Sequence, residues 1–100
     1  MIQVRITEDA LCDLNEGFHF YEVQEAGLGD YFTSCLRADI EGLRVSGGIH
    51  KVVYADYHRQ LSKVFPYGIF YTMESGIAVV WAVVDLRRDP EWIREKMSSR

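Results

Sequence analysis

The pattern of apolar positions changes twice within the first 25 residues. Ile2, Val4 and Ile6 alternate with polar residues, which is typical of a short, half-buried strand. Residues 8–25 then carry apolar side chains at steps of three and four: Leu11, Leu14, Phe18 and Tyr21. This spacing predicts an amphipathic helix, and Thr7, which precedes two acidic residues, is its expected N-cap.

A second helical pattern follows a short connection that contains glycine. Residues 31–45 place their apolar side chains on one face: Phe32, Leu36, Ile40 and Leu43. Gly27 is expected to take the left-handed conformation that ends the first helix, and Asp30 is expected to cap the second. Because the connection is so short, the two helices should be antiparallel neighbours.

The second half of the chain has the patterns of β-strands. Residues 52–65 mix β-forming residues with charges, and FPYG at 65–68 predicts a tight connection. Residues 68–73 are strand-like, and Glu-Ser-Gly at 74–76 predicts a hairpin turn. The apolar run 77–84 does not alternate, so it predicts a central strand buried on both faces.

The last segment, 91–97, predicts a short, highly charged helix with Asp89 as N-cap and Pro90 at its first position. The element order is therefore β-α-α-β-β-β-α. It predicts one α+β domain over residues 1–100, with a helical hairpin on one face of a small, mostly antiparallel, four-stranded sheet.

Both faces of this sheet should be apolar, because bulky apolar residues occupy adjacent positions at 69–71 and 79–81. The last helix is short and polar, so we expect it to cover little of the second face. Uncovered apolar area above about 400 Å² usually marks a partner surface. We therefore expect another protein to cover this face; the alternatives are a homodimer and a C-terminal helix that folds back.

Composition and charge exclude several classes of protein. With 48% hydrophobic and 26% charged residues, the chain of 100 residues has the composition of an ordinary folded domain. No apolar stretch is long enough to span a membrane and no signal peptide is evident, so a cytoplasmic location is expected. Residues 1–48 carry a net charge of −6 and residues 49–100 carry +2, which is unlike a strongly basic nucleic-acid binder.

No cofactor is indicated by the sequence. Neither a metal-ligand spacing nor a glycine-rich phosphate loop is present. Cys12 and Cys35 should lie about 12 Å out of step along the two helices, too far for a disulfide. Both are expected to be buried thiols.

Three features, in chain order, form a set that is more specific than any one of them. They are Gly-Leu-Gly at 27–29 followed by Tyr31 and Phe32, the segment VVYADYHRQLSKVFPYGIFY at 52–71, and the apolar strand that runs into RRDP at 87–90. Together they resemble the RelE/ParE superfamily of toxins from type II toxin–antitoxin modules, and especially its ParE-like, plasmid-stabilisation branch. The resemblance spans nearly the whole chain and implies a helical hairpin on a small antiparallel sheet.

The resemblance also implies a partner and a target. The partner would be a cognate antitoxin whose flexible segment covers the sheet and helices. ParE-like members bind and inhibit DNA gyrase, whereas RelE-like members are ribosome-dependent ribonucleases that cleave mRNA. The acidic net charge favours gyrase binding, because contacts with ribosomal RNA need a cationic surface. A third alternative is an inactive toxin-fold binding module.

A ribonuclease would need a general base, a general acid and a cation near the reacting phosphate. The candidates in this chain are His58, Arg59, Lys63, Tyr71, Arg87 and Arg88. Arg59 and Lys63 share a parity, so they could lie on one face of a strand, whereas His58 is expected at the surface or in a turn. The residues expected to contact the target or the antitoxin are Arg87, Arg88, Tyr71, Trp81 and Trp92.

The RRDP segment allows two interpretations. Arg87 and Arg88 flank the expected start of a helix, which is a natural phosphate site. Yet Asp89 should already cap this helix, and Asp85 can pair with either arginine, so an internally paired junction is the alternative.

The chain departs from its relatives at this junction and in the last helix. Relatives often have a histidine at the position of Asp85, so a role that needs this histidine is not carried over. They also often have an aromatic pair and an arginine where this chain has Trp92, Ile93 and Lys96. The acidic residues of the helical hairpin are expected on a solvated face: Glu8, Asp9, Asp13, Glu16, Glu22 and Glu25.

Overall fold

Five strands and four helices are present in the computed structural model, which describes residues 1–100. In chain order they are β1 (Gln3–Ile6), α1 (Glu8–Glu22), α2 (Leu28–Glu41), α3 (Leu43–Ser46), β2 (Val52–Tyr54), β3 (Tyr57–Leu61), β4 (Tyr67–Glu74), β5 (Ile77–Asp85) and α4 (Pro90–Ser98). The predicted α+β class is confirmed. The order of elements differs from the prediction by one additional strand and by the short helix α3, which the sequence had not separated from the second helix.

The strands form one sheet in the order β1-β5-β4-β3-β2. Only β1 and β5 are parallel, and the other neighbours are antiparallel. The prediction of four strands was wrong because the segment 52–65 contains two. Tyr54 pairs with Tyr57 across a tight turn, in which Ala55 has a left-handed φ of 49°.

The apolar run at 77–84 forms an interior strand, as predicted. β5 lies between β1 and β4, and Val80, Ala82 and Val84 are at most 1% exposed. Its register with β4 shifts by one residue, because Phe70 pairs with Ala82 while Tyr71 pairs with Val80. Trp81 is therefore the extra residue of a β-bulge.

The helical hairpin is shorter than predicted and is capped differently. Thr7 caps α1 as expected, since its hydroxyl accepts a hydrogen bond from Ala10 N at 3.2 Å. Gly27 is left-handed as predicted, with a φ of 90°. Yet it does not end α1, because α1 ends at Glu22 with Val23 as C-cap and Gly27 is the N-cap of α2. Asp30, however, lies inside α2. The carboxylate of Glu22 accepts hydrogen bonds from Gly27 N at 3.0 Å and Gly29 N at 2.9 Å, so it serves the first amide groups of this turn.

The hairpin packs on one face of the sheet and forms the main core. Its largest fully buried side chains are Tyr71, Phe32, Leu36, Ile40, Leu43, Ile69 and Val80. The helices approach each other closely at Gly17, where a Cβ atom would lie 2.4 Å from the Phe32 ring. Phe65 and Tyr67 of the FPYG segment pack against the rings of Phe32 and Tyr21.

The second face is covered by α4, contrary to the expectation that this helix covers little. Met97 is 2% exposed and forms a cluster with Phe70, Ala82 and Val84. Ile93, one turn before Met97, packs against the same cluster. Because Ile93 and Met97 are four residues apart, they lie on the same side of this nine-residue charged helix and give it one apolar face.

Asp13 of α1 forms ion pairs with Lys96 of α4 and with Arg100, which follows α4. Its side chain is 2% exposed, and its carboxylate lies 2.9 Å from Lys96 Nζ and 2.8 Å from Arg100 Nη1. It also accepts a hydrogen bond from Val83 N at 3.0 Å, and Arg100 donates to Trp81 O at 2.8 Å. Because the pairing of β1 with β5 ends at Val80, these two side chains satisfy backbone groups beyond the end of β1.

Two sequence-based assignments on the helical hairpin, the solvated acidic face and the buried thiols, were therefore wrong for some of their residues. Asp13 is buried, and Glu22 caps a turn, so neither belongs to a purely solvated acidic face. Cys12 is exposed and Cys35 is partly buried, and both are free thiols.

No helix of the protein is long and apolar enough to cross a membrane.

Candidate functional site

The segment between β5 and α4 contains the arginine pair that the sequence singled out. Arg87 turns back to Asp85, with Nε–Oδ1 and Nη2–Oδ2 distances of 3.0 and 2.9 Å. Its backbone N donates to the same carboxylate at 2.9 Å, and its Nη2 lies 3.4 Å from Tyr21 OH. Hydrogen bonds from Arg87 lower the pKa of Asp85, and those to Asp85 raise the pKa of Arg87. Arg87 is thus held in an internal pair.

Arg88 has a different environment. Its guanidinium carbon lies 4.3 Å from the centre of the Trp92 ring, which is the distance of a cation–π contact. No carboxylate lies within ion-pair distance of it. Asp89 Oδ1 accepts a hydrogen bond from Glu91 N at 2.8 Å, so the start of α4 already has its cap. A phosphate at this helix end would have to displace Asp89.

Three arginines line one cleft of about 260 Å³ between α4 and the second face of the sheet: Arg59, Arg88 and Arg94. We call it the arginine cleft. Its other lining residues are apolar or aromatic: Val53, Tyr54, Phe70, Leu86, Pro90, Ile93 and Met97. The cleft therefore combines an apolar floor with three cations, which suits a ligand that has both apolar and anionic groups.

Arg94 was missed in the sequence, although a signal for it existed. It lies four residues after Pro90 and three before Met97, so it shares their side of α4. Once Met97 is recognised as buried, Arg94 must lie at the edge of the buried stripe. The charged composition of residues 91–97 concealed this stripe.

The chemistry available in the arginine cleft is limited. Its lining contains neither a carboxylate nor an imidazole. Arginine does not exchange its proton near neutral pH, so Tyr54 is the one lining residue with a proton to transfer. A general acid and a general base are both needed for RNA cleavage by the expected mechanism. The cleft is better equipped to bind than to catalyse.

The other ribonuclease candidates lie elsewhere. Lys63 is exposed in the loop after β3, where its backbone N donates to Asp39 Oδ2 at 3.3 Å. β3 ends at Leu61, so the prediction that Lys63 shares a strand face with Arg59 was wrong. Both residues nevertheless border one groove beside the edge of β3.

His58 and Tyr71 form a cluster with His50 on the helical side of the sheet. The prediction of His58 at the surface or in a turn was wrong: it is half-buried in β3, and its ring stacks on Tyr71 with centroids 5.0 Å apart. Tyr71 OH accepts from Gly48 N at 2.9 Å and lies 2.5 Å from His50 Nδ1. Burial raises the pKa of Tyr71, and burial followed by the charge of His58 lowers the pKa of His50. This cluster is on the opposite face from the arginine cleft.

The aromatic residues expected to contact a partner are unequally accessible. Tyr71 is fully buried, so it has a packing role in this conformation. Trp81 is half-buried, and its Nε1 donates to Thr72 Oγ1 at 2.9 Å. Trp92 is 37% exposed. Of the expected contact residues, Arg88 and Trp92 are the best placed for a partner, with Arg87 exposed but internally paired.

A second cleft, of about 380 Å³, separates α1 from α4. Phe20 and Trp92 line it, and both are exposed. Two of its acidic groups are already neutralised, since Asp13 pairs with Lys96 and Asp85 with Arg87. No group of three His, Cys, Asp or Glu residues in the protein could hold a metal ion.

Comparison with known proteins identifies the fold. No family model matches the sequence, and no curated protein matches it. Among solved structures, the chain is similar to a chain of the chromosomal ParDE TA system from P. aeruginosa, with a TM-score of 0.76 and 10% sequence identity. The match covers 83% of this chain and 94% of the other. The chain therefore shares the fold of this ParDE-system chain, which agrees with the fold that the sequence resemblance implied.

Proposed function

We propose that the protein is the toxin of a type II toxin–antitoxin module, in the cytoplasm, and that a cognate antitoxin neutralises it. We further propose that it acts by binding and inhibiting DNA gyrase, as the ParE-like, plasmid-stabilisation branch does. The fold supports the toxin assignment, since the similar chain comes from a ParDE toxin–antitoxin system. Fold alone does not specify a target, so the target is argued from the site.

The observation that carries the choice of mechanism is the make-up of the arginine cleft. Three arginines and seven apolar or aromatic residues line it, with no carboxylate or imidazole among the lining residues. Such a cleft binds anionic and apolar groups of a macromolecule without a pair of residues that transfers protons. This arrangement supports inhibition by binding rather than by RNA cleavage.

The ribosome-dependent ribonuclease is the second candidate, and one observation favours it. Arg59, Arg88 and Arg94 line the same cleft as Tyr54, and clustered arginines are well suited to hold a phosphodiester. This candidate requires Tyr54 to transfer a proton or the ribosome to supply a missing group. A third alternative is a binding module without toxicity, since Asp85 replaces a histidine that relatives often have.

Induction of the protein alone in cells distinguishes these alternatives. Gyrase inhibition predicts a DNA-damage response with filamentation, together with loss of supercoiling activity when purified protein is added to purified gyrase. Ribonuclease activity predicts rapid arrest of translation with cut mRNA and no effect on supercoiling. Normal growth with neither response would support the inactive binding module and contradict the toxin assignment.

A further inference from the structure

Three ring side chains tie the connection at 47–51, which precedes β2, to the middle of the sheet. Tyr71 of β4 is fully buried, and its hydroxyl lies 2.9 Å from Gly48 N and 2.5 Å from His50 Nδ1. His58 of β3 stacks on the same tyrosine ring, and its Nδ1 lies 2.7 Å from His50 O. We call His50, His58 and Tyr71 the Tyr71 cluster. Three hydrogen bonds therefore join this connection to β3 and β4.

The directions of these hydrogen bonds follow from what each group can donate. Gly48 N can only donate, so the hydroxyl oxygen of Tyr71 accepts this bond. The hydroxyl proton is then directed to the other contact of this hydroxyl, His50 Nδ1. A carbonyl oxygen can only accept, so His58 Nδ1 carries a proton and donates it to His50 O. All three bonds are satisfied together when His50 is neutral and its Nδ1 carries no proton.

Protonation has different consequences for the two histidines. His58 can take up a proton at Nε2 and still donate from Nδ1 to the same carbonyl. His50 cannot keep its bond in this way, because a proton on its Nδ1 leaves the buried hydroxyl proton of Tyr71 without an acceptor. A buried donor without a partner is costly. His50 is therefore the group whose protonation disrupts the Tyr71 cluster.

The charged groups around His50 oppose a positive charge on its ring. Three cations without an ion-pair partner line the same groove as His50: Lys51, Arg59 and Lys63. Asp39 is the one carboxylate of this groove, and its Oδ2 already accepts a hydrogen bond from Ser62 Oγ at 2.8 Å. On the sheet side the ring faces His58 and Tyr71. Burial, followed by the charge of His58, lowers the pKa of His50.

The connection that the Tyr71 cluster holds leads directly into β2. This strand has three residues, lies at the edge of the sheet, and pairs irregularly with β3 between Val52 and Tyr54. Val53 and Tyr54 line the arginine cleft. Because so short an edge strand has little pairing of its own, release of the connection at 47–51 would also loosen this wall of the cleft.

We propose that the Tyr71 cluster is a pH-sensitive switch: uptake of a proton by His50 detaches the connection at 47–51 from β3 and β4 and opens one wall of the arginine cleft. The cluster is closed above pH 6.5, the ordinary histidine pKa. As the pH falls below this value, opening becomes more favourable by up to about tenfold per pH unit, because the open form binds one more proton. This inference concerns the chain alone and is independent of the proposed function.

Amide hydrogen exchange followed by NMR between about pH 5 and 8 tests the switch. Each rate is divided into that of an unfolded peptide at the same pH, which removes the intrinsic pH dependence of exchange. The protection of Gly48 N should fall by up to about tenfold per pH unit below the histidine range. Val80 N, in the buried interior strand, should change much less. The amide resonances of Val53 and Tyr54 should shift over the same pH range.

Substitution of each of the three histidines identifies the titrating group. In His50→Gln the side-chain oxygen can still accept from Tyr71 but does not titrate, so Gly48 N should stay protected at low pH. His58→Gln keeps a donor for His50 O and should retain the fall in protection. His19→Gln, at an exposed position of α1, is the matched control and should behave like the unchanged protein.

Thermal unfolding at neutral pH checks that each variant is folded. If His50→Gln is not, Tyr71→Phe takes its place. This variant lacks the hydroxyl that accepts from Gly48 N, so the amide should be weakly protected at every pH, with little dependence on pH.

Two outcomes would overturn the inference. One is an equal fall in the protection of Gly48 N in His50→Gln and in the unchanged protein. The other is a loss of protection at Gly48 and Val80 together, since acid would then unfold the whole domain rather than the connection at 47–51. Unchanged resonances of Val53 and Tyr54 would overturn the link between the switch and the arginine cleft. The toxin assignment is unaffected by these results and depends on the induction experiment.

Discussion

Asp85 holds Arg87 through two side-chain hydrogen bonds of 3.0 and 2.9 Å, although only one residue separates them in the chain. The pair fixes the first arginine of the RRDP segment against the end of β5. Arg88, the second arginine, is left free of carboxylates and lines the arginine cleft. Two adjacent residues of the same type therefore have separate roles, one in the junction and one in a binding surface.

This difference predicts unequal effects of two single substitutions. Arg88→Ala should weaken target binding about tenfold or more, because charge-assisted contacts are lost, and should reduce growth inhibition on induction. Arg87→Ala should leave growth inhibition largely unchanged. Equal loss of growth inhibition in both variants, at equal protein levels, would show that the junction and not the cleft contacts the target.

The carboxylate of Asp13 is predicted to be a main determinant of stability. Asp13→Asn leaves Lys96 and Arg100 without their buried partner and should lower the free energy of unfolding by about 3 kcal/mol. Urea unfolding measures this change. Asp9→Asn is the control, because Asp9 is 67% exposed and its oxygen lies 3.8 Å from Arg100 Nε. Similar losses in the two variants would contradict the assigned role of the buried carboxylate.

The close contact at Gly17 predicts that replacing it by alanine lowers the free energy of unfolding, whereas the same change in an exposed helix would raise it. In an exposed helix, Gly→Ala stabilises by about 1 kcal/mol. Gly17→Ala should instead destabilise by about 1–3 kcal/mol, because the new Cβ would lie 2.4 Å from the Phe32 ring. Thermal or urea unfolding measures the sign, and Asn15→Ala on the exposed side of α1 is the control. A stabilised Gly17→Ala variant would mean that the ring moves away without cost.

His50 predicts a pH dependence of stability in the neutral range. Its pKa in the folded protein is lowered from 6.5, first by burial and then by His58. The unfolded chain therefore binds the proton more readily, so the free energy of unfolding is highest above pH 6.5 and falls as the pH drops through 6.5 towards the folded pKa. Urea midpoints measured between about pH 5 and 8 should fall less steeply in His50→Gln. An unchanged slope in this variant would contradict the prediction.

Much of the fold could be predicted because local signals agreed with the tertiary structure. Thr7 indicated the start of α1, and the apolar run at 77–84 indicated an interior strand. Gly27 indicated the turn between the two helices, although it caps α2 and does not end α1. The division of 52–65 into two strands could not be predicted, since Ala55 takes a left-handed conformation without the glycine or asparagine that usually signals it. The cover of the second face was missed because Ile93 and Met97 are isolated in a charged sequence.

The candidate site was less predictable because its residues come together only through the pairing of strands and the packing of α4. Arg59 and Arg88, both selected from the sequence, line the arginine cleft. Lys63 had been expected on the same strand face as Arg59, but β3 ends at Leu61, before it. Asp13 and His50 gave no signal. A single aspartate on an amphipathic helix is expected to be exposed to solvent unless its cationic partners are known. The partners of Asp13, Lys96 and Arg100, lie 83 and 87 residues further along the chain.

That separation has a consequence for the order of folding during synthesis. While a ribosome makes the chain, α1 and most of the strands are available long before Lys96 and Arg100. Until these two residues emerge, packing α1 against β5 would bury an unneutralised carboxylate, which is costly. The α1–β5–α4 arrangement is therefore expected to close only after these two residues have emerged. Because α4 also forms one wall of the arginine cleft, the nascent chain should have no complete cleft before this step.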